Sequence, residues 1–145
     1  MPTNLNSLLQ DLLVTAHRLT RVAAQSTGNT TPAAVWHTLS ILANEGPLRI
    51  GDLARAGRVT QPSMTKVLQQ LVDDELVYRI ADVDDSRAWL ISISQSGTTA
   101  LENWRSELGR VLGPMFGDLP PSDVETLERA IAILQTRTST KRRVA

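Results

Sequence analysis

A mainly α (α+β) fold follows from three observations on the sequence. Apolar residues recur at three- and four-residue spacing over most of the 145 positions. The strong β signal is confined to two runs lying close together, between Leu76 and Ile93. The chain is 41% hydrophobic but only 3% aromatic, so its core must come from Leu, Val, Ile and Ala, a balance that leans towards helix.

Taken in order, Leu5, Leu8, Leu9, Leu12, Leu13, Ala16 and Leu19 fall at helical spacing in a helix from Leu5 to Ala24, which Gly28 and Asn29 end. Thr31-Pro32 reads as an N-cap followed by proline at the first helical position. The helix it opens carries Val35, Trp36, Leu39, Ile41 and Leu42 and stops at Asn44-Glu45-Gly46-Pro47. Leu48-Arg49-Ile50 is short and extended, Gly51 to Ala56 forms a brief helix, and Gly57-Arg58-Val59 makes a tight turn. Thr60 then caps a longer helix to about Asp74, whose Met64, Val67, Leu68, Leu71 and Val72 follow one buried face. The strands Leu76–Ile80 and Ala88–Ile93 flank an acidic stretch, Ala81 to Arg87, that predicts a hairpin with a broad tip. Ser94-Gln95-Ser96-Gly97 opens a long helix through Leu101, Trp104, Leu108, Val111 and Leu112, with a kink expected near Gly113-Pro114. Pro120-Pro121-Ser122-Asp123 starts the last helix, with Val124, Leu127, Ala130, Ile131 and Leu134 on one stripe.

A two-stranded hairpin is not stable by itself, so it must dock on the helices before it. That arrangement is a winged helix-turn-helix. The expected organisation is a single domain over 1–145, with the winged lobe at 31–94 and dimerisation helices at 1–30 and 95–138. A frayed basic tail is expected at 139–145, with Lys141-Arg142-Arg143. The apolar stripes on the first and last helices lack enough partner surface within one compact lobe, and two-fold pairing would bury both.

Cysteine is absent, which excludes disulfides, Cys-based zinc sites and sensing by thiol oxidation. The N-terminus lacks the pattern of a signal peptide, and no run approaches the ~18 apolar residues of a membrane helix. A soluble, cytoplasmic protein with no membrane partner is expected. The net charge is zero, but Arg49, Arg55, Arg58 and Lys66 face Asp52 alone between Arg49 and Val72. A locally basic face can bind nucleic acid on a neutral protein.

Chemistry-bearing patterns are few. His17 and His37 lie on separate helices without HExxH spacing, and Asp82-x-Asp84-Asp85 lacks the glycine and distant glutamate of a calcium loop. There is no nucleophile elbow, no Ser-His-Asp order and no phosphate-cradling glycine loop. The sequence therefore predicts a non-enzyme with no cofactor and no metal.

The longer helix after the turn is the candidate for reading DNA, because an α-helix fits the major groove with its N-terminal residues at base edges. Its polar positions are Thr60, Gln61, Ser63, Thr65, Lys66, Gln69 and Gln70. Gln61 can pair with adenine, Lys66 suits guanine or phosphate, and Pro62 can touch a thymine methyl. Arg49, Arg55, Arg58 and Arg79 are candidates for phosphate contacts, which give affinity without sequence choice. The competing reading of each is an ordinary solvated side chain.

At Asp52 to Gly97 the stretch DLARAGRVTQPSMTKVLQQLVDDELVYRIADVDDSRAWLISISQSG resembles the MarR family (multiple antibiotic resistance regulators) of bacterial winged helix-turn-helix transcription factors. A short helix ends near Gly57, Thr60-Gln61-Pro62 starts the recognition helix, and Leu76-Val77 begins a strand. Asp85-Ser86-Arg87 fills the wing motif, and Ser94-Gln95-Ser96-Gly97 starts the next helix. Two departures stand out. Glu75 occupies a position where the family often has glycine, and only Arg79 and Arg87 are basic in the hairpin. The resemblance implies that Arg87 enters the minor groove and that Asp85 orients its guanidinium. It also implies a homodimer on pseudo-palindromic double-stranded DNA, acting most often as a repressor. A small aromatic or phenolic effector would bind beside His17, Arg21, Trp36, His37 and Trp104. The alternative is a winged-helix protein-interaction module without a specific operator.

Overall fold

The computed structural model describes residues 4–139. Lys141, Arg142 and Arg143 of the expected basic tail lie outside them. The element order is α1 (Leu5–Thr27), α2 (Ala33–Glu45), β1 (Leu48–Arg49), α3 (Ile50–Gly57), α4 (Gln61–Asp73), β2 (Val77–Asp82), β3 (Asp85–Ile93), α5 (Gln95–Phe116) and α6 (Pro121–Thr138). The strands form one antiparallel sheet in the order β1-β3-β2. This is the mainly α winged helix-turn-helix that the sequence predicts.

The chain divides into two compact units. One joins α1 to the later part of α5, Trp104–Asp118. Asn4 caps α1 by accepting from the N–H of Asn6 at 2.9 Å, and Gly28 ends it in the left-handed conformation at φ 70°. Only Ala23 is buried along α1, and Leu5 and Leu13 are 64% and 71% exposed.

The other unit holds Thr31–Asn103 together with α6. Its core gathers Val35, Leu39 and Leu42 of α2, Leu53 and Ala54 of α3, and Met64, Leu68 and Leu71 of α4, with Val77, Ile91 and Leu101. Each buried leucine contributes about 1.5–3 kcal/mol relative to exposure. The 3-4 spacing thus places the inner faces of α2, α3 and α4 on one apolar centre, with the sheet closing one side. On α6 no residue is buried, and Val124, Leu127 and Ile131 stay exposed. Among the described residues no helix is long and apolar enough to cross a membrane.

Two local expectations differ from the structure. The hairpin tip is tight, not broad: Asp82 pairs with Asp85 across Val83-Asp84, with a register shift between Ala81 and Asp82. The reason is a side-chain bond, since Asp82 Oδ1 accepts from the Asp84 N–H at 3.0 Å and closes the turn. Pro32 itself, at φ −59° and ψ 143°, stands at the N-cap of α2, with Val35 N donating to its carbonyl at 3.0 Å, so Thr31 lies one residue outside. In the expected turn between α3 and α4 the left-handed residue is Arg58 (φ 57°). Gly57 ends α3, where an added Cβ would stand 3.4 Å from Met64 Cε.

Candidate nucleic-acid interface

Helix α4 begins where Thr60 accepts from the Ser63 N–H at 3.2 Å, as its cap position requires. With Met64, Leu68 and Leu71 held in the core, Gln61, Pro62, Ser63, Thr65, Lys66, Gln69 and Gln70 are all exposed. Their hydrogen-bonding capacity is not equal. The Thr65 hydroxyl donates back to the Gln61 carbonyl at 2.9 Å, so it offers its lone pairs and methyl outward. Ser63 Oγ accepts from Thr60 Oγ1 at 2.9 Å and keeps its own proton to donate. Gln70 is tied to Asp74 at 2.9 Å.

Between α3, α4 and the sheet runs a cleft of about 530 Å³, lined by Arg49, Arg55, Arg79 and Arg87 with Asp52, Thr65 and Trp89. The hairpin supplies one wall because alternate residues of β3, Arg87, Trp89 and Ile91, share a face with Arg79, which pairs with Ile91. Ile91 is buried at the base, whereas Trp89 is 58% exposed. Arg55 pairs with Asp52 on α3. Asp85 Oδ1 accepts the Arg87 backbone N–H at 3.0 Å but meets the guanidinium only at 3.5 Å. Asp85 therefore shapes the strand entry and leaves the Arg87 side chain 90% exposed.

Asp82 is the buried acid of the hairpin, and Arg49 reaches its Oδ2 from Nε at 2.8 Å and from Nη2 at 2.6 Å. The Asp84 N–H and then the Arg49 guanidinium hold the Asp82 carboxyl below its ordinary range, and the same pairing raises Arg49. Neither Trp89 nor Asp82 is marked by a motif in its local sequence, where Asp82 belongs to an acidic cluster that does not match a calcium loop. The period-2 alternation through Arg87 would have exposed Trp89. Nothing local signals the Arg49–Asp82 pair, which joins residues 33 apart.

The residues expected around an effector are divided between the two units. His17 and Arg21 are exposed on α1 and Trp104 is half-buried on α5, in one unit; Trp36 and His37 belong to the other. Trp36 packs against the core and lines a cleft of about 450 Å³ with Thr31, Pro32, Lys66 and Leu76, while His37 is exposed.

A solvent-facing polar helix entered through a tight turn, followed by an arginine-bearing hairpin, defines a winged-helix DNA-binding protein of the transcription-regulator class. The model of the MarR family matches residues 32–89. An uncharacterised HTH-type transcriptional regulator of Mycobacterium bovis is 30% identical over 128 residues, 88% of this chain and 90% of that protein. The chain belongs to the MarR family. The homoprotocatechuate degradative operon repressor of Escherichia coli is 32% identical over 62 residues, 43% of this chain and 42% of the repressor. Among solved structures, a MarR family protein from Bacillus stearothermophilus superposes with a TM-score of 0.71 at 19% identity, covering 94% of this chain and 98% of that one. A variant of MepR from S. aureus bound to an oligodeoxyribonucleotide superposes with a TM-score of 0.62 at 21% identity, covering 93% and 98%.

Proposed function

We propose that this DNA-binding regulator acts as a homodimeric repressor on a pseudo-palindromic operator. Each α4 would enter a major groove, with Arg87 reaching the adjoining minor groove. The observation that carries this reading is the cleft flanked by α4 and the wing, where arginines from α3, β2 and β3 converge beside exposed Gln61, Ser63 and Thr65. Gln61, Pro62, Ser63, Thr65, Lys66 and Gln69 would read bases, while Arg55, Arg58 and Arg79 would hold phosphates. Thr60 would set the start of the helix, and Asp85 would shape the wing. The unpartnered apolar stripes of α1 and α6 support the dimer, which places the two helices about one helical turn of DNA apart. Repression is supported by the relative that represses a degradative operon. A small aromatic or phenolic effector would act by favouring a lobe spacing that does not match the operator, with His17, Arg21, Trp36, His37 and Trp104 as the candidate contacts.

The test is anisotropy of labelled duplex from the protein's own promoter region and other genomic fragments, at two salt concentrations against scrambled competitor. Competitor-resistant binding is expected, and Arg87→Ala should weaken it about tenfold or more. Binding no tighter than to scrambled DNA across all fragments would favour a protein partner for the winged lobe.

A further inference from the structure

The wing tip has little packing of its own. Val83 is 97% exposed, and Asp84, Ser86 and Arg87 are exposed as well. A hairpin tip without apolar contacts is held only by its backbone ladder and its side-chain bonds, and here the ladder shifts between Ala81 and Asp82. One buried side chain stands at that shift. Asp82 Oδ1 closes the turn through the Asp84 N–H at 3.0 Å, and Oδ2 takes both the Nε and Nη2 of Arg49 at 2.8 and 2.6 Å.

Arg49 is well rooted. It belongs to β1, pairs with Leu90 of the central strand, and is followed directly by α3, the first helix of the helix-turn-helix. A forked guanidinium engaged through two nitrogens fixes direction as well as distance, which an ammonium cannot do. The pair therefore ties the wing turn to the start of the recognition unit.

We propose that Arg49 and Asp82 form a latch that positions the wing, so that Arg49 acts on DNA through Arg87 and does not itself serve as a phosphate contact. This rests on the operator-binding reading and names two positioning residues for it. Arg87 lies two residues beyond Asp85, the partner of Asp82 across the hairpin. Releasing Asp82 would let the tip swing and spread the Arg87 side chain over many positions, most of them outside the groove.

The signs of the mutational effects separate the latch from its rival. If Arg49 were a phosphate contact, Asp82→Asn would free a cation and remove an anion near DNA, and binding would tighten. With a latch, Asp82→Asn and Arg49→Gln should each weaken operator binding about tenfold, the effect expected of Arg87→Ala. In the Arg87→Ala background neither should cost more than about twofold, because the side chain they position is gone. Arg49→Lys keeps the charge without the fork and should fall between wild type and Arg49→Gln. Trypsin acting on the free protein should cut after Arg87 faster in Asp82→Asn, with cleavage after Lys66 unchanged.

Tighter binding by Asp82→Asn, or penalties undiminished in the Arg87→Ala background, would overturn the latch. So would unchanged cleavage after Arg87. If the wild type binds no operator, the operator reading fails and takes the DNA role of the latch with it. The tryptic comparison then still decides whether Asp82 holds the tip.

Discussion

Arg58 at φ 57° and Glu75 at φ 60° bracket the recognition helix, and both carry side chains in the left-handed region. Each ends a helix with the same pair of bonds. Val59 N donates to Ala54 O at 3.0 Å and Arg58 N to Arg55 O at 3.1 Å; after α4, Leu76 N donates to Leu71 O at 2.9 Å and Glu75 N to Val72 O at 3.0 Å. These Schellman closures satisfy carbonyls that would otherwise be orphaned, and glycine is their usual residue. A non-glycine residue in this region costs roughly 1–2 kcal/mol, whereas glycine loses about 0.5–1 kcal/mol more conformational freedom on folding. Glu75→Gly is therefore expected to stabilise the protein by about 0.5–1 kcal/mol. The check is a raised urea midpoint with an unchanged slope. A lower midpoint would mean that the Glu75 side chain supplies more than the strain removes.

Between elements, a close joint lies where α5 leaves the sheet. Ser94 Oγ donates to the Glu75 carbonyl at 2.7 Å and accepts from the Gly97 N–H at 3.0 Å, while Ser94 N donates to Leu76 O at 3.0 Å. One serine thus caps α5 and fastens it to the turn that follows α4. Gly97 makes this approach feasible, since an added Cβ would stand 2.1 Å from Leu76 O and 2.8 Å from Ile93 Cγ1. The first of these is backbone and cannot rotate away. Gly97→Ala is expected to destabilise by about 3 kcal/mol, the upper end for overpacking, as read by chemical denaturation. A loss below about 0.5 kcal/mol would show that the joint can open without cost.

For the whole molecule, the proposed dimer rests on the apolar stripe of α1. Leu13 is 71% exposed in the single chain, so a polar residue there should cost a monomer no more than about 0.5 kcal/mol. In the proposed dimer the same side chain is covered. Leu13→Asp is expected to halve the mass in sedimentation and to cut operator affinity by about a hundredfold, through loss of bivalency. A variant that stays dimeric and binds normally would remove α1 from the interface. Ile131→Asp, at 53% exposure on α6, applies the same test to the other stripe.

By itself the sequence determined the element order, the inner faces of α2, α3 and α4, and the placement of Thr60, Gln61 and Arg87 on a polar helix start and a wing. These follow from period, capping and turn chemistry, which act within a few residues. The exposed positions of α4 were legible for the same reason: once Met64, Leu68 and Leu71 are buried, 3.6-residue periodicity turns the others outward. Other features depended on residues distant in the chain. The acidic run from Asp82 to Asp85 reads as a loose solvated loop, yet Asp82 is buried, its Oδ2 held by Arg49 from 33 positions away while its Oδ1 closes a two-residue turn on Asp84. Gly97 reads as part of a helix start until Leu76 is packed on it. Tertiary structure decided these points because the energy of a buried charge or a close approach is set by the partner that the fold supplies, and local pattern carries no record of that partner.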